Sequence, residues 1–135
     1  MKKIISVVVI SFLLFSCSSE GDNYRVVTLP IAKVEPETAF AKDSVTEITV
    51  KYLRPSNCHF YEDFYYDRYE FTRVVAIYNI EMDRNDCQVL ENDTVSVPLK
   101  FKPTQLGTYY FKFWKGTNET TGEEEFIELT AEVNH

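Results

Sequence analysis

A chain of 135 residues with 44% hydrophobic and 15% aromatic content suits one domain with a modest core and is too rich in rings for a disordered chain. Its 14 basic and 21 acidic residues give a formal charge of −7, which disfavours nucleic acid and anionic lipid surfaces as partners of the fold. With 9 Tyr, 10 Phe and only 4 Gly, the composition favours pleated, half-buried strands.

The chain opens with Lys2 and Lys3. The run from Ile4 to Phe15 is apolar except for Ser6 and Ser11. That is about half of the ~20 residues needed to cross a bilayer, so residues 1–16 read as a signal peptide. Leu14-Phe15-Ser16-Cys17 closes the run and resembles a bacterial lipobox, although Phe15 is bulky for the tolerant position. The resemblance implies cleavage before Cys17, a diacylglycerol on its thiol and an acyl chain on the freed amine. Two or more such chains anchor a protein stably.

Residues 17–24 read as the lipidated Cys and a polar tether. Ser18 after the Cys resembles lipoproteins sent to the outer membrane. Glu20 and Asp22 resemble the acidic export tags of surface lipoproteins in Bacteroidota. The expected location is the cell envelope, on the outer membrane, facing either the periplasm or the outside. Loss of Lys2 and Lys3 leaves 12 basic against 21 acidic residues, a charge of −9.

Residues 25–135 are expected to form one domain of strands separated by turns. Arg25 to Ala32 is β-branched and interrupted by Pro30, which fits an edge strand. Val45 to Arg54 alternates, with Ile48, Val50 and Tyr52 on one face. Arg54-Pro55-Ser56-Asn57 breaks it. Cys58 to Glu70 is open to a helical or a strand reading. Its aromatic content and lack of Ala or Leu favour strand, with about half of its rings buried by alternation. Phe71 to Glu81 follows, with Val75, Ile77 and Tyr78 as candidate buried residues, then the turn Asp83-Arg84-Asn85-Asp86. Val95, Val97, Leu99 and Phe101 share one face of the next strand, where Pro98 implies an edge or a bulge. Tyr109, Phe111 and Phe113 are in phase in the strand after Gly107. Ile127, Leu129, Ala131 and Val133 close the domain.

About seven strands at this spacing point to an all-β sandwich. Leu106-Gly107-Thr108-Tyr109-Tyr110-Phe111 resembles the corner before the sixth strand of immunoglobulin-like domains. The resemblance implies an immunoglobulin-like sandwich of antiparallel strands. In it the Tyr109 hydroxyl bonds back to the backbone a few residues upstream, and Phe111 takes the place of the second inter-sheet Cys. Cys58 and Cys87 sit elsewhere than the cysteines of antibody domains. An even pair in an exported chain points to a disulfide, with two buried free thiols as the alternative.

No Ser-His-Asp, Cys-His or phosphate-loop motif stands out, and no cofactor or metal is expected. The chain reads as a non-enzymatic binding or accessory component of the envelope. Its partners would be the membrane, through the anchor, and an envelope protein or a glycan. The alternative is a carbohydrate-binding lipoprotein of a glycan-capture system. Tyr61 and Tyr65 are the candidate contacts, as an exposed ladder beside carboxylates, with Trp114 and Tyr110 as a second patch. Asp43-Ser44-Val45 and Asp93-Thr94-Val95 resemble O-glycosylation acceptors of exported Bacteroidota proteins, which makes Ser44 and Thr94 candidate attachment sites.

Overall fold

In the computed structural model, residues 23–35 and 39–135 are described. The expected signal peptide 1–16, Cys17 and the tether as far as residue 22 lie outside them. Alternation and turn residues give eight strands: β1 (Tyr24–Leu29), β2 (Ile31–Glu35), β3 (Thr46–Leu53), β4 (His59–Tyr69), β5 (Thr72–Met82), β6 (Thr94–Phe101), β7 (Gly107–Thr117) and β8 (Glu124–Val133). The segment open to two readings, residues 58–70, is therefore strand. Pro30 does more than mark an edge. It ends β1 in one sheet and starts β2 in the other, because a residue without an N–H cannot continue a ladder.

Two sheets stack into a β-sandwich. The small one has the order β2-β3-β6, with Pro98 on its edge strand. In the large one, β4 lies along one side of β5, and β8 pairs with β7. The other side of β5 is shared. β1 pairs with its Ile77–Met82 half, and β7 with Thr72–Val75. The β5–β7 pair is parallel, so the strands are not all antiparallel as expected. The cause is the chain path: β6 runs back in the opposite sheet, and β7 re-enters in the direction of β5.

The core lies between the sheets. Ile48, Val50 and Tyr52 are 0% exposed, as their alternation implies. Val75, Ile77, Phe111, Phe113, Ala131 and Val133 meet them from the large sheet, and Val97, Leu99 and Phe101 extend the small one. Asn79 is also fully buried. Its amide and the Tyr52 hydroxyl have no hydrogen-bond partner among the described residues.

The corner before β7 has the expected geometry. The Tyr109 hydroxyl donates to the Gln105 carbonyl at 3.1 Å and accepts the Gln105 N–H at 3.2 Å. Phe71 and Phe101 meet the Tyr109 ring edge-on, with centroids 5.0 and 5.1 Å away. Gly107 has φ +139°, and a Cβ there would stand 2.9 Å from Phe71 Cε1; only glycine fits without strain. Phe111 fills the inter-sheet position against Phe101, centroids 4.9 Å apart.

Cys58 and Cys87 form a disulfide with Cα atoms 5.5 Å apart. It ties the start of β4 to the β5–β6 loop and joins no sheet to another. With a separation of 29 residues, the chain-entropy model gives roughly 3–4 kcal/mol of stabilisation.

Candidate functional site

The surface is organised by one irregularity in β4. Its register with β5 shifts between Tyr61 and Asp63: Tyr61 stands opposite Asn79, and Asp63 opposite Tyr78. A bulge of this kind inserts a residue and reverses the faces beyond it. Tyr61 therefore shares the inner face with Phe64 and Tyr66, which stand opposite Ile77 and Val75. Tyr65 points to the outer face and meets Tyr78 edge-on, centroids 5.9 Å apart. The expected Tyr61–Tyr65 ladder is thus split between two faces. Nor does alternation bury half of the β4 rings: Tyr61 and Tyr65 are both 38% exposed. The strand lies at a sheet edge, so its inner face is only half covered.

On the outer face, Tyr65 and Trp114 come together. With Tyr78 and Phe126 they ring a shallow hollow of about 380 Å³ whose floor is Val74 and Ala76. Trp114 and Phe126 are cross-strand neighbours on β7 and β8. The indole N–H donates to Glu124 Oε2, and the Thr117 hydroxyl donates to the same oxygen at 2.9 Å. These bonds fix the indole plane. The Lys112 ammonium lies 5.7 Å from the Phe126 ring centroid. Val26 and Phe60 remain exposed and flank Ile80 in the ladders, which prolongs the apolar band toward the β1 end. Tyr110 is exposed on the same face but stands opposite Thr72, away from Trp114. Trp114 thus joins Tyr65 rather than forming a separate patch with Tyr110.

On the inner side, the edges of β4 and β6 leave a groove of about 530 Å³. Tyr61, Phe64, Tyr66, Arg68, Arg73, Lys100 and Lys102 line it. Burial raises the Tyr66 phenol above its ordinary value, and the Arg73 and Arg68 guanidiniums oppose the rise. Burial also raises Tyr61, helped by Asp63 and Tyr52.

Folding assembles one constellation that sequence reading missed. Ser56 Oγ lies 2.7 Å from His59 Nδ1, and His59 Nε2 is 3.8 Å from Glu81 Oε2. The spacing of Ser56 and His59 was the available signal; Glu81 joins them only through the β4–β5 ladder. These groups have other engagements. Ser56 Oγ accepts the Cys58 N–H at 3.1 Å, and Arg25 holds Glu81 at 2.8 Å. The arrangement clamps the turn that enters β4.

Asp86 lies beside both cysteine sulfurs, but the disulfide removes them as thiolate ligands. Its carboxylate is held by Arg84 at 2.6 Å. Ser44 and Thr94 are both exposed, Ser44 just before β3 and Thr94 at the start of β6. Cys17 lies outside the described residues. Comparison with known proteins adds no assignment: no family model, curated protein or solved structure matches this chain.

Proposed function

We propose that this chain is a non-enzymatic lipoprotein of the cell envelope, anchored in the outer membrane by acyl chains on Cys17, and that it works by holding a protein partner. The anchor rests on the Leu14–Cys17 pattern after a short apolar run. The binding role rests on one observation above all: Tyr65, Tyr78, Trp114 and Phe126 surround a single solvent-facing hollow. Large rings gathered on an exposed face are typical anchors of interfaces, because each removes much apolar area from water with little loss of rotamer freedom.

The test is cross-linking in intact cells followed by detergent extraction. A stoichiometric protein partner, lost on Tyr65→Ala with Trp114→Ala, supports the role. Recovery of the same partner with both rings removed refutes it. Metabolic labelling with a fatty acid, abolished by Cys17→Ser, tests the anchor separately.

A second reading, glycan capture, is favoured by the fixed indole plane beside the Glu124 carboxylate. An aromatic platform of this kind stacks on sugar rings, with a polar group at its rim to set orientation. Trp114 is the single Trp of the chain, so its fluorescence reports the occupant directly. A saturable change with an oligosaccharide supports this second reading.

A further inference from the structure

Half of the lysines and arginines among the described residues are paired with carboxylates. Arg25, Lys33, Lys51, Arg54, Arg84 and Lys115 each lie within 4 Å of a carboxylate. Arg68, Arg73, Lys100 and Lys102 have no such partner among the described residues, and all of them line the groove between the β4 and β6 edges. Lys42 and Lys112 are also without one but stand elsewhere. The nearby acids do not cancel the cluster. Glu47 stands opposite Lys100 in the ladder without reaching it as an ion pair. Asp63 is the one acid that lines the groove, at its bulge end, where its carboxylate accepts the Phe64 N–H at 2.7 Å, and Glu70 offers Arg73 its carbonyl, at 2.7 Å.

The groove also borders an open ladder. Beyond the bulge, Phe64–Tyr69 pairs regularly with β5 on one side and with no described strand on the other. A regular edge is a template for a further strand. The bulge blunts only the half nearer Cys58. A strand added to Phe64–Tyr69 would project every second side chain inward, on the face of Tyr66, Arg68 and Arg73, with Lys100 and Lys102 at the facing β6 rim.

From this juxtaposition we infer that the groove accepts an extended peptide segment of a partner protein, carrying Asp or Glu at alternate positions, as an added strand on β4. Backbone hydrogen bonds would hold the strand, and its carboxylates would meet Arg68, Arg73 and Lys102.

Two other occupants fit less well. A second copy would offer the edge of β8, but Glu124, Glu128 and Glu132 lie on that strand's outer face, and Glu125, in phase with inward Ile127, Leu129 and Ala131, is held by Lys115 and Asn118. Anionic lipid headgroups fit poorly as well. β5 runs from Thr72, beside Arg73, to Met82, opposite Tyr24. At ~3.3 Å per residue its ends are about 30 Å apart. Under the anchor reading, Arg68 and Arg73 are thus far from where the chain leaves for Cys17.

The test uses the full lipidated chain in non-ionic detergent and a fluorescein-labelled peptide of alternating Glu and Val, followed by anisotropy. Saturable binding is expected, weakened by added salt. Arg68→Glu with Lys102→Glu should weaken it about tenfold or more. Lys33→Glu with Lys42→Glu, the same change of charge away from the groove, should leave it within about twofold. N-methylation of alternate peptide amides should abolish it.

No saturable binding overturns the inference. So does equal binding of a control peptide of alternating Lys and Val, of the methylated peptide, or by the groove variant. Displacement by polygalacturonate at equal strength would reassign the groove to an acidic glycan. Self-association dispersed by the groove substitutions would reassign it to a second copy. Should the double charge reversal fail to fold, Arg68→Gln with Lys102→Gln is read instead. The test reads the groove alone, so its failure leaves the outer-face reading of Tyr65 and Trp114 standing.

Discussion

β3 and β4 are neighbours in the chain and opposites in the fold. β3 is the middle strand of the small sheet, and its alternate residues Ile48, Val50 and Tyr52 are sealed from water. β4 carries more aromatic surface, yet it lies at an edge and no ring in it is fully buried. Hydrophobicity therefore does not rank the two strands; cover does. Alternation specifies which side chains share a face, and the number of neighbouring strands decides whether that face is dry. β3 is built to hold the sandwich together, and β4 to present rings and charges.

The largest test of that contrast compares one residue from each strand. Ile48→Ala leaves a void in the centre of the core, and a loss of about 2–5 kcal/mol is expected in chemical unfolding. Tyr69→Ala removes a bigger side chain that is 75% exposed, with an expected change within about 0.5 kcal/mol. Equal losses would end the distinction. The next effect is the disulfide. Because β4 has little core of its own, the Cys58–Cys87 bond and the β5 ladder hold it. Replacing both cysteines by Ser is expected to cost about 2–5 kcal/mol. Hydrogen exchange should rise first in β4 and in residues 83–93, while β3 keeps its protection.

The same contrast explains what the sequence could reveal. The β3 pattern and the Val95–Phe101 pattern named the residues of the inner face correctly, Val95 being only partly buried, because a strand with a covered inner face obeys its period. Gly107 and Tyr109 were readable because a tight corner requires particular residues. The bulge between Tyr61 and Asp63 was not readable. Nothing in Tyr61-Glu62-Asp63 marks an extra residue in the ladder, since the slip depends on what β5 places opposite. That single slip moved Tyr61 away from Tyr65. The parallel β5–β7 pair was hidden for a similar reason: strand direction depends on which sheet receives β6. The cationic groove has no local signature either. Arg68, Arg73, Lys100 and Lys102 are scattered along the chain and meet only when two sheet edges face each other.

Smaller effects sharpen the contrast. Gly107→Ala places a Cβ 2.9 Å from the Phe71 ring at a positive φ. A cost of about 1–3 kcal/mol is expected, read as a lower Tm with the fold retained. Tyr52→Phe deletes a buried hydroxyl without a partner among the described residues and should raise stability by about 1 kcal/mol. A fall instead would mean that this hydroxyl is satisfied in solution and that even β3 keeps a polar duty.

The finest comparison concerns charge at the two edges of the small sheet. On the β2 side, Glu35 lies 2.8 Å from Lys51 and 3.4 Å from Lys33. The Lys51 hydrogen bond, then that of Lys33, holds its carboxyl below the usual carboxylate value. On the β6 side, Lys100 and Lys102 have no such partner among the described residues. A carboxyl with a lowered folded-state pKa contributes stability above its unfolded-state pKa, and the contribution disappears as pH falls through the folded-state value. Glu35→Gln should therefore lower Tm slightly at neutral pH and low salt. The difference should vanish when the native carboxyl is protonated, or when salt screens the exposed pair. NMR titration of the Glu35 side chain supplies the check. A midpoint in or above the ordinary carboxylate range would mean that Lys51 and Lys33 leave it unaffected. The β2 and β6 edges would then be electrostatically alike, and the unpaired lysines of the groove would lose their contrast.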